Sequence, residues 1–263
     1  MSNKKNKITG LVITLNEEKN IAGVIENFDF VDEIIIVDSF SDDKTYEIAK
    51  NSEGVKIFQH KFINFSKQKN FALSKASHDW VVFIDADERI SRKGKKEILK
   101  TVKKAKQEAY FAKFQYFYGK KPIRYSGFQT AKSHRLFRKS KCKYDESIKV
   151  HEKLIVNGTS GLLKYRLNHY SFRNYAHYKS KMKLYGSLKA KKLHEKGKSA
   201  YWLKTSAKMF YRFISHFFIR LGFLDGKVGY HISILSAYEV KVRYKKLAEL
   251  NAQPKTEKAI SKT

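Results

Sequence analysis

Trp80-Val81-Val82-Phe83-Ile84-Asp85-Ala86-Asp87-Glu88 is an apolar run that ends abruptly in carboxylates. A short continuous apolar run bounded by polar residues reads as a strand covered on both faces, the kind found in parallel sheets. Toward the N-terminus the same rhythm of apolar run, polar turn and amphipathic stretch recurs, predicting strands at Ile8 to Thr14, Glu33 to Asp38, Val55 to Phe58 and Trp80 to Ile84. Between them Asn16 is expected to cap a helix carrying Ile21, Val24, Ile25 and Phe28, and Ser41 or Asp42 to cap Lys44 to Asn51; a third helix is expected over Ser66 to Ala76. Strands alternating with crossover helices define an α/β, Rossmann-like and mostly parallel sheet, in which ligands collect beyond the carboxyl ends of the strands.

Downstream, a basic helix near Arg92 to Lys106 gives way to alternating aromatic segments. Tyr110 to Tyr118, Ser133 to Arg138, Leu154 to Asn157 and Leu162 to His169 read as strands extending the sheet. From Asn174 onward the pattern is helical. Tyr175, Tyr178, Met182, Tyr185 and Leu188 mark an apolar face of one helix, Tyr201 to Leu221 mixes aromatics with Lys and Arg, and Gly222 to Gly229 breaks the pattern before a last helix to about Leu250. The division expected is a catalytic domain over 1–172, a helical extension over 173–250 and a Lys-rich disordered tail over 251–263.

Composition narrows the function classes. An apolar share of 42% in 263 residues supplies a core and argues against a wholly disordered chain. The single cysteine, Cys142, excludes an internal disulfide framework, and a cytoplasmic location is expected. Met1 to Lys7 leads into a strand without the features of an export signal. Nor is there an uncharged apolar run of the roughly 18 residues a spanning helix requires. With 55 Lys and Arg against 25 Asp and Glu the formal net charge is +30, which draws the chain toward polyanions: nucleic acid, anionic lipid or phosphorylated glycolipid.

The chemistry lies at three strand ends. Thr14-Leu15-Asn16-Glu17-Glu18 can hold a base or ribose through strand-end groups, or can be no more than an acidic first helical turn. Asp38, in Val37-Asp38-Ser39, leaves the sheet where a carboxylate can accept from a base N–H or a ribose hydroxyl. Asp85 and Asp87, two apart on an extended backbone, are expected to converge on one ligand, as a hard divalent ion bridging a diphosphate requires.

Those motifs, together with Ser66-Lys67-Gln68-Lys69-Asn70-Phe71-Ala72-Leu73, in this order and spacing, resemble family 2 glycosyltransferases of GT-A fold, in particular bacterial lipopolysaccharide core glucosyltransferases. The likeness is strong over about Ile8 to Arg89 and extends more weakly to about Phe172. It implies an inverting hexosyltransferase using UDP-glucose, a glycolipid or lipopolysaccharide-core acceptor, and Mn²⁺ or Mg²⁺. Thr14, Asn16 and Glu17 would line the nucleoside pocket and Asp38 would meet the uracil or ribose. Gln68, Lys69 and Asn70 match a polar segment near the donor, with Lys69 where the family usually has Arg, a change that weakens a bidentate phosphate grip. Asp87 would be the metal ligand, with Asp85 nearer ribose and sugar, and His169 resembles a late histidine that reaches metal or diphosphate; its ordinary alternative is a structural histidine. Glu152, in Lys149-Val150-His151-Glu152, takes the place of the catalytic base, with Asp145 and Glu146 as competitors because the family's usual acidic pair is absent.

The basic aromatic region between Tyr175 and Tyr244 suits docking on an anionic membrane, on the inner face of the cell membrane, or the acceptor itself; an ordinary packed helical pair is the plainer reading. The rival from another class is a nonenzymatic nucleic-acid or anionic-surface binder, which the net charge favours but which leaves the acidic strand end without a purpose. On the glycosyltransferase reading no nucleic-acid partner is expected. A dinucleotide-dependent dehydrogenase is disfavoured because no Gly-x-Gly-x-x-Gly follows the first strand.

Overall fold

The computed structural model of the chain describes residues 6–147 and 153–252, with every side chain in them except those of 202–204. The four leading strands form where the apolar runs predict them: β1 (Ile8–Thr14), β2 (Glu33–Asp38), β3 (Val55–Gln59) and β4 (Trp80–Phe83). They lie parallel in the order β3-β2-β1-β4, with Leu11 paired to both Ile35 and Phe83. Helices α1 (Ile21–Asn27), α2 (Thr45–Lys50) and α3 (Phe65–Lys75) connect them. Successive residues point to opposite faces of a strand, and here both faces are covered: Val12, Ile36 and Val82 join one buried cluster while Leu11, Ile35 and Val81 join another.

The sheet continues antiparallel. Next come β5 (Glu88–Arg89), α4 (Arg92–Lys103), β6 (Ala109–Tyr118), β7 (Lys121–Pro122), β8 (Lys132–Arg138), β9 (Cys142–Tyr144), β10 (Leu154–Val156) and β11 (Ser160–Phe172), and the order beyond β4 is β8-β6-β11-β5. A parallel, nucleotide-type half extended by antiparallel strands is the GT-A arrangement. Leu154–Val156 departs from expectation: it pairs with β9 in a separate two-stranded sheet instead of lengthening the main one. Period-2 patterning identifies a strand but not its partner.

Helix starts also differ from expectation. Asn16 adopts φ 56°, a left-handed conformation that Asn tolerates, and a turn from Glu17 to Asn20 intervenes before α1 begins. Neither Ser41 nor Asp42 caps α2; Asp43 accepts from the Thr45 backbone N–H at 2.9 Å. At α3 the cap is Asn64, accepting from Lys67 N–H at 2.9 Å.

One compact unit comprises residues up to Tyr116 together with Thr130–Tyr170, and a second comprises Phe117–Gln129 together with the chain from Ser171. In the second, α5 (Tyr175–Glu195), α6 (Trp202–Ile214) and α7 (Lys227–Ala252) are the main helices. The tail expected from Asn251 thus begins inside α7 and otherwise lies outside the described residues. Helix α5 buries Tyr178, Gly186 and Ala190, whereas Tyr185 and Leu188 of the expected apolar face are exposed. Small residues win this face because α7 comes so close: a Cβ on Gly186 would lie 2.9 Å from the Glu239 carbonyl oxygen. Between α6 and α7 the chain makes a π-helical turn over Ser215–Ile219 and a 3-10 turn over Gly222–Asp225, with Leu221 left-handed at φ 56° between them. Any side chain on Gly229 would collide with the Gly222 carbonyl oxygen.

Glu33 fastens the parallel half. Its buried carboxylate accepts from Thr9 Oγ1 at 2.7 Å, Ser77 N at 2.8 Å, Ser77 Oγ at 2.7 Å and Lys56 Nζ at 2.8 Å, joining β1, β2, β3 and the exit from α3. Burial alone would raise its pKa, but these donors pull it down to about 2. A carboxyl whose folded pKa is depressed adds stability above its unfolded value of 4.5, and that stability is lost as pH falls toward about 2. Glu33→Gln should therefore destabilise the protein at neutral pH by about 2 kcal/mol in urea titrations, with the gap to wild type closing between pH 4.5 and about 2.

Candidate active site

The turn after β4 decides the geometry. The strand stops at Phe83, and residues 85–88 form a tight turn closed by Glu88 N–H donating to the Asp85 carbonyl at 2.9 Å. Asp85 and Asp87 are therefore not alternate residues of an extended strand, as expected, yet the turn still brings both to one pocket. The convergence has a different cause from the one the spacing suggests.

Three acids in one turn would repel one another, and Arg135 of β8 offsets two of them. Its guanidinium is 5% exposed and donates to Glu88 through Nε at 2.9 Å and Nη2 at 2.6 Å, and to Asp85 through Nη2 at 3.1 Å. Burial raises the Glu88 carboxyl against the pull of Arg135. At Asp85 burial opposes ionisation too, but Arg135, Lys69 and His169 outweigh it and hold the carboxyl below its usual range. Arg135 is the residue that sequence reasoning missed. The available signal was an arginine embedded in an otherwise strand-like run that includes Leu136 and Phe137.

Asp87 faces a different partner. Its Oδ1 lies 3.2 Å from Nε2 of His169, and the Asp87 carbonyl accepts from Tyr170 N at 2.9 Å, so β11 delivers the imidazole to the turn. Burial would lower the imidazolium pKa, but Asp87, with Glu88 and Asp85 behind it, raises it above the ordinary value. The ring stacks on Tyr116 with centroids 4.9 Å apart, and its Nδ1 is buried without a hydrogen-bond partner among the described residues.

A cavity of about 520 Å³ opens over this turn at the carboxyl ends of β1 and β4. Of the residues singled out from sequence, Thr14, Glu17, Lys69, Asp85 and Asp87 line it, and the Thr14 hydroxyl is buried with no partner among the described residues. Lys69, almost fully buried, has its ammonium 5.2 Å from the centre of the Phe83 ring and 5.3 Å from that of Tyr144. Phe62 and Phe65, in edge contact with centroids 5.1 Å apart, add an exposed aromatic wall the sequence reading did not foresee.

The other candidates build the walls. Asn16 accepts from Asp42 N at 3.0 Å and its own N–H donates to Ser41 Oγ at 2.9 Å, lacing the loop after β1 to the loop after β2. Asp38 is fully buried and accepts from Ser41 Oγ at 2.5 Å, Ser41 N at 3.0 Å and Gln59 Nε2 at 3.3 Å. Gln68 bridges Ser39 Oγ and the His60 carbonyl at 3.0 and 3.1 Å. Asn70 exchanges hydrogen bonds with the Tyr144 backbone at 2.9 and 2.8 Å and donates to Glu146 at 2.8 Å. Asp145 is likewise engaged, accepting from Ser147 N and Oγ at 3.0 and 2.6 Å. Glu152 lies outside the described residues.

Among the described residues no group of three or more His, Cys, Asp and Glu is arranged around a common cation position. Asp87 with His169 is a two-donor set, an oxygen and a nitrogen facing each other beside the cavity. Such a pair fits a divalent ion that takes its remaining ligands from water and phosphate oxygens.

Residues 11–160 match the family described as glycosyl transferase family 2. An uncharacterized glycosyltransferase of Rickettsia typhi is 33% identical over 261 residues, covering 93% of this chain and 88% of its own. The lipopolysaccharide core biosynthesis glycosyltransferase LpsC of Rhizobium meliloti is 28% identical, with 97% of each chain covered. Among solved structures, Staphylococcus aureus TarS in complex with UDP aligns with a TM-score of 0.47 at 16% identity, over 93% of this chain and 90% of that one. The chain belongs to glycosyl transferase family 2, and it is a glycosyltransferase.

Replacing Arg135 tests the charge arrangement. Arg135→Leu leaves Glu88 buried and unpaired, and unfolding in urea should show a loss of about 3–5 kcal/mol. Arg135→Lys should recover only part of it, since an ammonium cannot span both carboxylates with the same fork.

Proposed function

We propose that this glycosyltransferase moves a hexose from a UDP-sugar, with UDP-glucose the favoured donor, onto a lipopolysaccharide-core or related glycolipid acceptor, with inversion at the anomeric carbon. The observation that carries the reading is the acid-tipped cavity itself: Asp85 and Asp87 at its floor, Lys69 in its wall, and His169 against Asp87. Full-length similarity to a lipopolysaccharide core enzyme supports the acceptor class.

In this mechanism the Thr14 hydroxyl and Glu17 hold the nucleoside, and Phe62 and Phe65 offer apolar surface to a planar base. Asp85, kept ionised by Arg135, accepts from ribose or sugar hydroxyls. Lys69 supplies positive charge to the diphosphate without the two-pronged geometry of an arginine. Asp87 and His169 would hold a divalent ion, Mn²⁺ or Mg²⁺, whose chemistry is to offset charge on the departing diphosphate. Glu152 is proposed as the base that takes the acceptor hydroxyl proton as it attacks from the face opposite the nucleotide. Asp145 and Glu146, both tied into local hydrogen bonds, are less available for that task. Residues 1–172 would carry donor binding and catalysis, and 173–250 would meet the acceptor at the anionic inner face of the cell membrane, which places the enzyme in the cytoplasm.

Calorimetric titration of UDP in the presence and absence of Mn²⁺ tests this. Wild type should bind UDP at least about tenfold more tightly with the ion. Asp87→Asn and His169→Ala should each lose most of that enhancement while melting near the wild-type temperature. Undiminished Mn²⁺ enhancement in both variants would remove Asp87 and His169 from the donor site.

A further inference from the structure

The turn between α6 and α7 projects large apolar side chains into solvent. Phe218, Ile219, Leu221, Phe223 and Leu224 lie within seven residues of one another, and Ile219 and Leu224 are 66% and 53% exposed. A pliable segment would fold back to bury them, since each is more favourably placed out of water. This one is prevented from doing so. The Asp225 carboxylate accepts from Arg124 N and Tyr125 N at 3.0 Å each and from Ser126 Oγ at 3.1 Å. Ser126 N–H donates to the Arg220 carbonyl at 2.9 Å, and Nδ1 of His216 lies 2.8 Å from the Ser126 carbonyl oxygen. Gly222 packs against Gly229 with no room for a methyl. The turn is thus pinned from two sides with its apolar residues outward.

The surrounding charge identifies what covers it. Arg212, Arg220 and Lys227 flank the turn, and Asp225, already committed to three donors, is the one acid between residues 205 and 230. A second copy would bring the same cations against these and carries the same net charge of +30. An apolar tip ringed by cations instead matches an anionic bilayer, with hydrocarbon beneath and phosphate around. No helix among the described residues is long and apolar enough to cross a membrane.

We propose that the turn over residues 217–224 is a preformed wedge that inserts into the interfacial layer of anionic membranes, with the flanking Lys and Arg on lipid phosphates. It deepens the membrane-acceptor reading above and rests on it for its purpose. Vesicle binding is measured without donor or acceptor, however, so failure of the wedge would leave sugar transfer untouched.

The test is flotation with vesicles of phosphatidylcholine alone and of phosphatidylcholine mixed with phosphatidylglycerol. Wild type should float with the anionic vesicles, and Ile219→Asp combined with Leu224→Asp should bind at least about tenfold more weakly with an unchanged melting temperature. In a second measurement Leu224→Cys carries an environment-sensitive fluorophore. Labelling is selective because Cys142 is buried and its thiol is pushed up to about 12 by that burial. Blue-shifted emission on adding anionic vesicles is expected. Equal vesicle binding by the double variant, or an unshifted fluorophore, would overturn the proposal. So would a wild-type dimer in sedimentation velocity that the double variant abolishes, because a second copy would then cover the tip.

Discussion

A buried guanidinium holds the candidate active site in place. Arg135 reaches from an antiparallel strand to the turn that ends the last parallel strand, and its fork spans Glu88 and Asp85 together. Desolvating three charged groups is costly, and mutual hydrogen bonds in a fixed geometry offset the cost. Glu88 is drawn inward, Asp85 is held at the cavity floor, and Asp87 is left facing His169. The acidic run thus divides into a buried anchor, a carboxylate at the cavity floor and one that faces His169, by virtue of one cation.

The walls follow a similar division. The loops after β1 and β2 are laced by Asn16, Ser41, Thr45 and Asp43, several of them engaging the partner loop's backbone N–H groups. Asp38 and Gln68 are buried in that lacing. Asn16, Asp38 and Gln68 hydrogen-bond within these loops, while neighbours such as Thr14 and Lys69 face the cavity.

The parallel half was legible because burial on both faces leaves a strong trace: β1 and β2 begin and end where their apolar runs do. The acidic tip was legible for the same reason, being the place where such a run stops. Arg135 was not, because a lone arginine in a strand gives no sign of which distant carboxylates it meets. Asn16 reads as a cap since Asn both caps helices and tolerates left-handed backbone, and only the lacing to the second loop decides between these. The strand at Leu154–Val156 and the buried face of α5 escaped because pairing partner and helix separation are tertiary facts, the latter set by Gly186 against the α7 backbone. Charge pattern located the basic aromatic region but gave no hint that a π-helical turn and a left-handed leucine would shape it.

The contact between Gly222 and Gly229 has a bearing on how this chain can vary. The outward side chains of the turn need only remain bulky and oily, so many substitutions among them leave its character intact. The two glycines admit no such drift, for a methyl on Gly229 would strike the Gly222 carbonyl and one on Gly222 would strike the His216 carbonyl. Across related chains the visible, exposed residues of this corner should wander, while the pair with nothing to display should stay fixed.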